Sequence, residues 1–376
     1  MKIGIVGAGP GGSLLAWHAA TAGAAVTIFD PSHPREKPCG GGLTGKALAL
    51  LPPAPADDPL PARFVDSCFF EEEAASFVRL RLARPVAIAS RAELDAWLLR
   101  PACAAGARHL PERVAHVDAD GGLRTTGGVS HRFDVIVGAD GAGSLVRRTL
   151  LSPTPPERLT MAAGWFARGA SDMHIRFASD LGGYLWLFPR RDHVCVGICA
   201  PLRRVPTRQL LDRLESEVRR SFPALADGEP YAHTIPSPSA HASSVLEIAG
   251  PRWALVGDAA ALADPITGEG IYPALESAAL LAETLRAGGS AAHYPQRLLE
   301  SLGAEMLKAA ALRDRFYAAG FTRRMIAYAA RSAAIREVLA DLVLGEQGYL
   351  GLKRRLLRAA PRFALESAAS VFRSAS

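Results

Sequence analysis

The chain has 376 residues, of which 49% are hydrophobic and 21% charged, so its composition is globular and excludes a disordered or fibrous protein. Its formal net charge is +6, and no apolar run reaches the roughly 18 residues that a membrane-spanning helix needs. The five cysteines form no C-x-x-C pair, which predicts a reducing compartment. Because no leader precedes the first predicted strand, we expect a cytoplasmic protein.

The first thirty residues predict a strand, a helix and a second strand. Lys2–Val6 and Ala25–Phe29 are short apolar runs typical of buried strands. Residues 11–23 place apolar side chains at helical spacing between them. This order predicts a βαβ unit.

The turn between the first strand and the helix has the sequence G-x-G-x-x-G. In such a turn Gly7 makes the tight bend, Gly9 lets a pyrophosphate approach the backbone, and Gly12 allows close helix packing. Asp30 follows 18 residues later, at the end of the second strand, where a carboxylate can bind ribose hydroxyls. Together these features predict a dinucleotide site, without distinguishing FAD from NAD.

A second glycine-rich segment, residues 37–44, has the sequence K-P-C-G-G-G-L-T. Three consecutive glycines cost backbone entropy, so they are expected where the main chain passes close to a flat ligand. We call this segment the glycine loop.

Four later segments are also unusual. Residues 90–98 predict an amphipathic helix that begins near an arginine. Residues 133–141 and 253–260 each predict a buried strand that ends at an aspartate, and residues 264–271 form a glycine-rich turn before a helix. Taken alone, the first is compatible with a solvated arginine and the second with a simple Asp-Gly turn.

Residues 160–240 alternate between apolar and polar side chains and predict an antiparallel sheet. In one of its strands the alternation places Tyr184, Trp186 and Phe188 on the same face. This face lines either a cavity or an ordinary sheet core. From residue 295 onward the spacing is helical, with breaks at Gly345 and Gly348.

Taken in order, these segments resemble the aromatic-hydroxylase-like superfamily of FAD-dependent oxidoreductases over residues 1–285. The glycine loop and the Y-x-W-x-F-P strand are similar to those of its geranylgeranyl reductase branch. The resemblance implies that Arg91 reaches the phosphate and ribose region of FAD, that Asp140 lies near the pyrophosphate, and that Asp258 contacts the ribityl chain.

The positions that this resemblance and the glycine-turn argument assign to FAD are Gly7, Gly9, Gly12, Asp30, Cys39, Gly40, Gly41, Arg91, Asp140, Gly257, Asp258, Pro265, Gly268, Gly270 and Ile271. Three candidate catalytic residues are Cys39, Tyr184 and Trp186. A thiol at Cys39 could donate a proton or tune the flavin, with plain packing as the alternative. No metal site is predicted.

The resemblance implies an α/β fold with three parts. A Rossmann-like FAD-binding domain takes residues 1–155 and 241–290. An antiparallel β-sheet substrate domain, residues 156–240, is inserted into it. A helical region, residues 291–376, follows at the C-terminus.

Three reactions share such a scaffold. Reduction of a carbon–carbon double bond in a prenyl or other apolar substrate is favoured by the glycine loop, and hydroxylation by a monooxygenase through a C4a hydroperoxide is the alternative. A halogenase is disfavoured because no lysine lies between Lys46 and Lys308 to relay hypohalous acid. A flavin-binding regulator without catalysis stays open.

The expected partners are a small apolar substrate and a transient electron donor, either NAD(P)H, free reduced flavin or a redox protein. No nucleic acid is expected. Residues 351–376 carry six Lys and Arg side chains against Glu366, with leucines interleaved. Such a tail is typical of peripheral membrane contact or of a solvated terminal helix.

Overall fold

The computed structural model of the chain describes residues 1–72, 76–318 and 320–374. The strands in chain order are β1 Lys2–Val6, β2 Ala25–Phe29, β3 Gly42–Leu43, β4 Ala62–Glu72, β5 Ser76–Ala89, β6 Arg108–Leu110, β7 Val114–Val117, β8 Gly122–Thr125, β9 Ser130–Arg132, β10 Val135–Gly138, β11 Leu159–Ala167, β12 Met173–Ala178, β13 Gly183–Pro189, β14 Val194–Pro201, β15 Glu229–Pro236, β16 Ala249–Gly250 and β17 Trp253–Leu255.

The α-helices are α1 Pro10–Thr21, α2 Gly45–Ala49, α3 Arg91–Ala104, α4 Leu145–Leu150, α5 Thr207–Ser221, α6 Ser243–Leu246, α7 Ile271–Arg286, α8 Tyr294–Leu298, α9 Ala304–Phe316, α10 Phe321–Arg331, α11 Ala333–Val343 and α12 Tyr349–Ser374. The predicted βαβ unit is confirmed: both strands match to the residue, and the helix begins one residue early, at Pro10, which is favourable in a first helical turn.

The first sheet has six strands in the order β16-β17-β10-β1-β2-β6. All of its pairings are parallel except the one between β16 and β17. The helix α1 packs against α3 and α7 on this sheet. Burial on both faces explains why its strands are nearly uninterrupted apolar runs.

The second sheet has eight strands in the order β15-β11-β14-β13-β12-β4-β5-β3. It is antiparallel apart from the parallel pair β4 and β12. Its last three strands come from residues 42–89, which the sequence-based division placed in the FAD-binding domain. The difference arises because the buried side of β5 packs against α10 and α11, a contact between segments more than 200 residues apart in the chain.

The two faces of this sheet are covered by different helices. On one face Leu185 and Leu187 of β13 pack with Leu210 and Leu214 of α5. The opposite face, which carries Tyr184 and the other aromatic side chains of β13, turns towards the C-terminal helices and the first sheet. Strand alternation therefore places the aromatic face where a site could form.

The rest of the fold follows the sequence closely. Residues 114–132 form a meander of three antiparallel strands, β7, β8 and β9. The helical C-terminal region is confirmed, and its predicted break lies between α11 and α12, with Gly345 in the left-handed region at φ +69°. Cys195 and Cys199 are both buried and free on β14.

Candidate functional site

Four of the predicted binding positions lie side by side at the carboxyl edge of the parallel sheet. Gly7 follows β1, Asp30 follows β2, Asp140 lies two residues after β10, and Asp258 lies three residues after β17. The strand order β17-β10-β1-β2 makes these four ends neighbours. The carboxyl edge of an open α/β sheet is where such folds bind ligands.

A cavity of ≈ 810 Å³ opens at this edge and extends to the aromatic face of the second sheet. Most of the predicted site residues line it: Gly7, Gly9, Asp30, Cys39, Gly40, Gly41, Arg91, Asp140, Tyr184, Trp186, Gly257, Asp258, Gly268, Gly270 and Ile271. Gly12 and Pro265 are absent from its lining. The structure thus brings nearly the whole predicted set together, while the role of each residue stays a prediction.

The glycines of the first turn are required by close packing. A Cβ on Gly7 would come 2.3 Å from the carbonyl oxygen of Ala139, and one on Gly12 would come 2.0 Å from that of Gly7. Gly12 therefore serves helix packing rather than the cavity. A Cβ on Gly9 would instead lie 3.3 Å from Lys37 Nζ, close to Arg91, so this glycine faces two cations.

Asp30 is nine-tenths buried and fixes the glycine turn. Its Oδ2 accepts a hydrogen bond from the Ala8 N–H at 3.0 Å, and its Oδ1 accepts from the Ser32 N–H and hydroxyl, both at 3.0 Å. Burial alone would raise the pKa of Asp30, but these hydrogen bonds lower it below its ordinary value. The side chain is therefore an ionised acceptor at the position predicted to bind ribose.

Asp140 has one satisfied and one unsatisfied oxygen. Its Oδ2 accepts from the backbone N–H of Leu145 at 2.6 Å and of Val146 at 3.3 Å. Its Oδ1 is buried and finds no hydrogen-bond partner within the described residues. Burial raises the pKa of this carboxyl. A buried polar atom without a partner at a cavity wall is what a bound polar ligand would satisfy.

Asp258 faces His233 across the cavity wall, and both line the cavity. Burial raises the pKa of the Asp258 carboxyl and lowers the pKa of the His233 imidazole, while the opposite charges of the two groups act against both changes. A Cβ on Gly270 would lie 3.1 Å from Asp258 Oδ1, so the glycine-rich turn passes directly over this carboxyl. His233 comes from β15 of the second sheet, and no motif in the sequence singles it out.

Arg91 begins α3 and is held by a buried acid. Its Nε and Nη2 each donate to one oxygen of Asp95 at 2.9 Å. The same carboxylate lies 3.3 Å from Lys37 Nζ. One aspartate thus balances only one of the two positive charges beside Gly9. The remaining positive charge can bind an anion such as a pyrophosphate.

The glycine loop fits between the two sheets only because it lacks side chains. A Cβ on Gly40 would come 2.4 Å from Cδ2 of Phe188, and one on Gly41, at φ +79°, would come 2.0 Å from the carbonyl oxygen of Ala89. The N–H of Gly41 donates to Cys39 Sγ at 3.3 Å. This thiol is half-buried and lines the cavity.

Arg190 holds the glycine loop in place, and the sequence did not single it out. The side chain is 1% exposed. Its guanidinium donates to the carbonyl oxygen of Cys39, pairs with Glu36 Oε1 at 2.7 Å and contacts His193 Nε2 at 3.1 Å. Its only sequence signal is its place directly after the Y-x-W-x-F-P strand.

The glycine-rich turn at residues 264–271 is tied by three side chains from other elements. Tyr184 of β13 donates to the carbonyl oxygen of Thr267, and Tyr317, just after α9, donates to that of Ile266 at 2.7 Å. Arg313 Nε donates to the carbonyl oxygen of Pro265 at 2.8 Å. Because burial raises the pKa of both phenols, they remain hydrogen-bond donors.

Trp186 lies next to Tyr184, with ring centroids 5.7 Å apart, and donates from Nε1 to Cys195 Sγ at 3.5 Å. Opposite it, β14 carries a glycine: a Cβ on Gly197 would come 2.2 Å from Trp186 Cζ2 and 2.4 Å from the Tyr231 hydroxyl. The ring of Trp186 therefore lies directly over Gly197 and leaves no room for a side chain at this position.

Glu269, within the glycine-rich turn, also lines the cavity, and no sequence pattern distinguishes it from a solvated acid. Its Oε1 accepts from the hydroxyl of Thr44 at 3.2 Å, and no hydrogen bond to Oε2 forms within the described part of the chain. Burial and the neighbouring charge of Asp264 raise the pKa of Glu269 to about 7. The carboxyl can therefore hold a proton near neutral pH.

One part of the cavity wall is apolar. The side chains there come from β4, β5, β12, α10 and α11: Phe70, Val86, Met173, Ile175, Phe177, Met325, Leu339, Leu342 and Val343. Among the described residues there is no group of three or more His, Cys, Asp or Glu side chains that could hold a metal ion. Within those same residues, no helix is long and apolar enough to cross a membrane.

Known proteins similar to this chain are reductases and flavin-dependent enzymes. No family model matches the sequence. The chain is 32% identical over 314 residues to a menaquinone reductase of Mycolicibacterium smegmatis, and the matched region covers 76% of each protein. It is 27% identical over 320 residues to a geranylgeranyl diphosphate reductase of Synechocystis, covering 76% of this chain and 75% of that protein.

Two solved structures share the fold. A geranylgeranyl bacteriochlorophyll reductase-like protein from Thermoplasma acidophilum superposes with a TM-score of 0.74 at 19% identity, covering 95% of this chain and 98% of that one. A flavin-dependent brominase superposes with a TM-score of 0.70, also at 19% identity, covering 92% of this chain and 94% of the other. The observed α/β architecture, with its parallel and antiparallel sheets, agrees with the predicted fold class.

Proposed function

Since this chain belongs to the geranylgeranyl reductase-like branch of the aromatic-hydroxylase-like superfamily of flavin-dependent oxidoreductases, we propose that it uses FAD to reduce a carbon–carbon double bond of a prenyl or similarly apolar substrate. The observation that carries the proposal is the composition of one cavity. Part of its wall is a polar nucleotide cradle, and another part is built from apolar side chains of the second sheet and the C-terminal helices.

The residues of the polar part fit FAD. Asp30 and the glycine turn would hold the adenosine and the pyrophosphate, with Lys37 and Arg91 as the nearby cations. The unsatisfied Oδ1 of Asp140 gives a polar ligand a buried oxygen to contact. A second group of glycines and Asp258 would hold the flavin half.

Bound FAD in its reduced form supplies hydride, so the protein must supply a proton and exclude water. The apolar wall serves the second purpose, because aliphatic and aromatic side chains leave water no polar partners. The same wall suits a substrate made of isoprene units, whose burial is favoured by about 25 cal/mol per Å² of apolar surface.

Two groups of the chain can hold the proton. Glu269 lines the cavity, its Oε2 accepts no hydrogen bond from the described residues, and its pKa is near neutrality, as a general acid requires. Cys39 also lines the cavity, and its sulfur accepts the N–H of Gly41. We assign the proton at Oε2 of Glu269 to the reaction and leave Cys39 as the second candidate.

The electron donor is proposed to be transient. One dinucleotide-binding sheet is found among the described residues, and its carboxyl edge is taken by the cradle already assigned to FAD. We therefore expect NAD(P)H, free reduced flavin or a redox protein to reduce the bound FAD and leave before substrate is reduced.

The proposal is tested by an anaerobic single turnover. The FAD-loaded protein is reduced with dithionite and mixed with geranylgeraniol or a menaquinone in detergent, and the matched control is a fully saturated alcohol of the same chain length. We expect the flavin to reoxidise without oxygen with the two unsaturated compounds alone, and the product to gain two hydrogens in its prenyl chain.

Two results would overturn this proposal. Reoxidation that begins only when oxygen is admitted, with a product that has gained an oxygen atom, would make the protein a monooxygenase. Reduction of the quinone ring with an unaltered prenyl chain would make it a quinone reductase.

A further inference from the structure

The C-terminal helix α12 presents an outer face that no described part of the chain covers. Its inner side packs against α9 and α11, and the ring of Phe363 on this side lies 5.1 Å from that of Tyr328 on α10. Leu350 and Leu357, by contrast, are 56% and 65% exposed. The side chains of residues beyond Glu366, including Arg373 from the predicted basic tail, lie outside the described side chains.

The exposed leucines share a stripe with cations. Leu350 and Leu357 are seven residues apart and therefore point in nearly the same direction, and Arg354 lies between them. Lys353 and Arg358 flank this stripe on either side. We call these five side chains the docking face.

No ion pair to a cation of the docking face forms within the described part of the chain. Nearby acids are already paired with other arginines: Asp341 with Arg355, and both Glu337 and Glu366 with Arg362. Over residues 321–366 nine Lys and Arg side chains stand against four Asp and Glu, a local charge of +5 in a chain whose total is +6. The docking face thus lies in the segment that carries most of the chain's net positive charge.

We propose that the docking face binds the surface of an anionic lipid bilayer. Exposed leucines with cations beside them match such a surface, because the leucines enter the acyl boundary while the cations contact lipid phosphates. A nucleic acid would leave the leucines exposed. A second copy of the chain would bring two faces of like charge together.

The position of α12 connects this membrane contact to substrate entry. This step of the argument rests on the proposed function. Tyr349, at the start of α12, lines the cavity, as do Met325 of α10 and Leu339 of α11. The helix that would touch the bilayer therefore also reaches the cavity, and it packs against α10 and α11, which form part of the apolar wall. A prenyl substrate dissolved in the membrane would reach the cavity with little exposure to water.

Vesicle co-sedimentation of the FAD-loaded full chain tests the proposal independently of turnover. Vesicles of phosphatidylcholine alone are compared with vesicles that also contain phosphatidylglycerol. Each cation near an anionic surface contributes roughly fivefold to binding, so replacing Lys353, Arg354 and Arg358 together by Gln should weaken it roughly a hundredfold. Leu350→Asp with Leu357→Asp should abolish it.

Matched controls come from the other side of the second sheet. Phe77 is 66% exposed there, and Arg81 is an exposed cation on the same strand. Phe77→Asp and Arg81→Gln should leave vesicle binding unchanged. The flavin content of every variant, and its turnover of detergent-dissolved substrate, report whether the fold is intact.

The proposal is overturned if the wild-type protein does not sediment with the phosphatidylglycerol vesicles, or if the triple Gln variant sediments equally well. It is also overturned if light scattering shows a dimer that the two Leu→Asp changes dissociate, since the face would then join two copies. A protein that binds vesicles normally but reduces no prenyl substrate would refute the proposed function and leave the docking face standing.

Discussion

Replacing Glu269 by Gln tests the acid assigned to the cavity. Gln keeps an oxygen that can accept from the Thr44 hydroxyl but cannot ionise. The pKa of Glu269 is raised from 4.5 to about 7. This rise corresponds to about 3 kcal/mol by which the folded protein favours the neutral carboxyl over the carboxylate.

The sign of the effect on stability follows from the direction of the pKa change. Because the folded-state pKa lies above the unfolded one, the stability associated with the neutral carboxyl is fully present below pH 4.5 and is lost as the pH rises through about 7. The wild-type protein should therefore lose up to about 3 kcal/mol of unfolding free energy across this range from Glu269 alone. Glu269→Gln should not show this loss.

Denaturant unfolding of the FAD-loaded proteins at about pH 5 and about pH 8 measures the difference, and the exposed Glu247→Gln serves as the matched control. In single turnover, substrate reduction by the wild type should slow tenfold per pH unit above about 7. The variant should be roughly a hundredfold slower at neutral pH and lose this pH dependence.

Flavin reduction by the donor should stay normal in the Glu269 variant. A variant that failed to fold would lose this step as well, so the measurement separates loss of the proton from loss of the fold. If Glu269→Gln reduces substrate at the wild-type rate with the wild-type pH profile, Glu269 is not the acid. If its unfolding free energy also follows pH as the wild type does, the carboxyl is not neutral in the folded state and the electrostatic reasoning fails with it.

Three further predictions concern the walls of the site. Arg190→Lys, which loses the planar fork that holds the glycine loop, should raise the dissociation constant for FAD roughly tenfold in a fluorescence titration. Unchanged affinity would leave Arg190 as packing. Gly197→Ala should lower the unfolding free energy by about 1–3 kcal/mol, because the new Cβ meets Trp186, and an equal denaturation midpoint would contradict this. Asp30→Ala should weaken FAD binding tenfold or more by freeing the Ala8 N–H, whereas full flavin retention after dialysis would reject the ribose assignment.

The two strands of the βαβ unit could be predicted to the residue because their signals are local. Lys2–Val6 and Ala25–Phe29 are apolar runs bounded by glycine and Asp30, and the turn needs glycine for contacts within a few residues. The aromatic face of β13 was predictable for the same reason, since strand alternation alone determines it. Such features depend only on residues that are close together in the sequence.

The missed features all depend on contacts between distant segments. Arg190 is buried because Glu36 and the carbonyl oxygen of Cys39 meet it from about 150 residues away. Glu269 has a raised pKa because the surrounding walls bury it and the charge of Asp264 lies nearby. Neither burial nor charge proximity can be obtained from spacing along the chain, so a motif can contain such a residue without revealing its chemistry.

The contacts of the glycine-rich turn indicate where the specificity of the site can change. Tyr184 and Tyr317 each donate a hydroxyl to a backbone carbonyl of this turn, so altering either would disturb the segment assigned to the flavin. Met325 and Leu342 line the same cavity only through van der Waals contact, and substitution there changes volume without removing a hydrogen bond. The length and branching of the accepted substrate should therefore be determined mainly by α10 and α11, while the aromatic strand and the glycine-rich turn maintain the cofactor site.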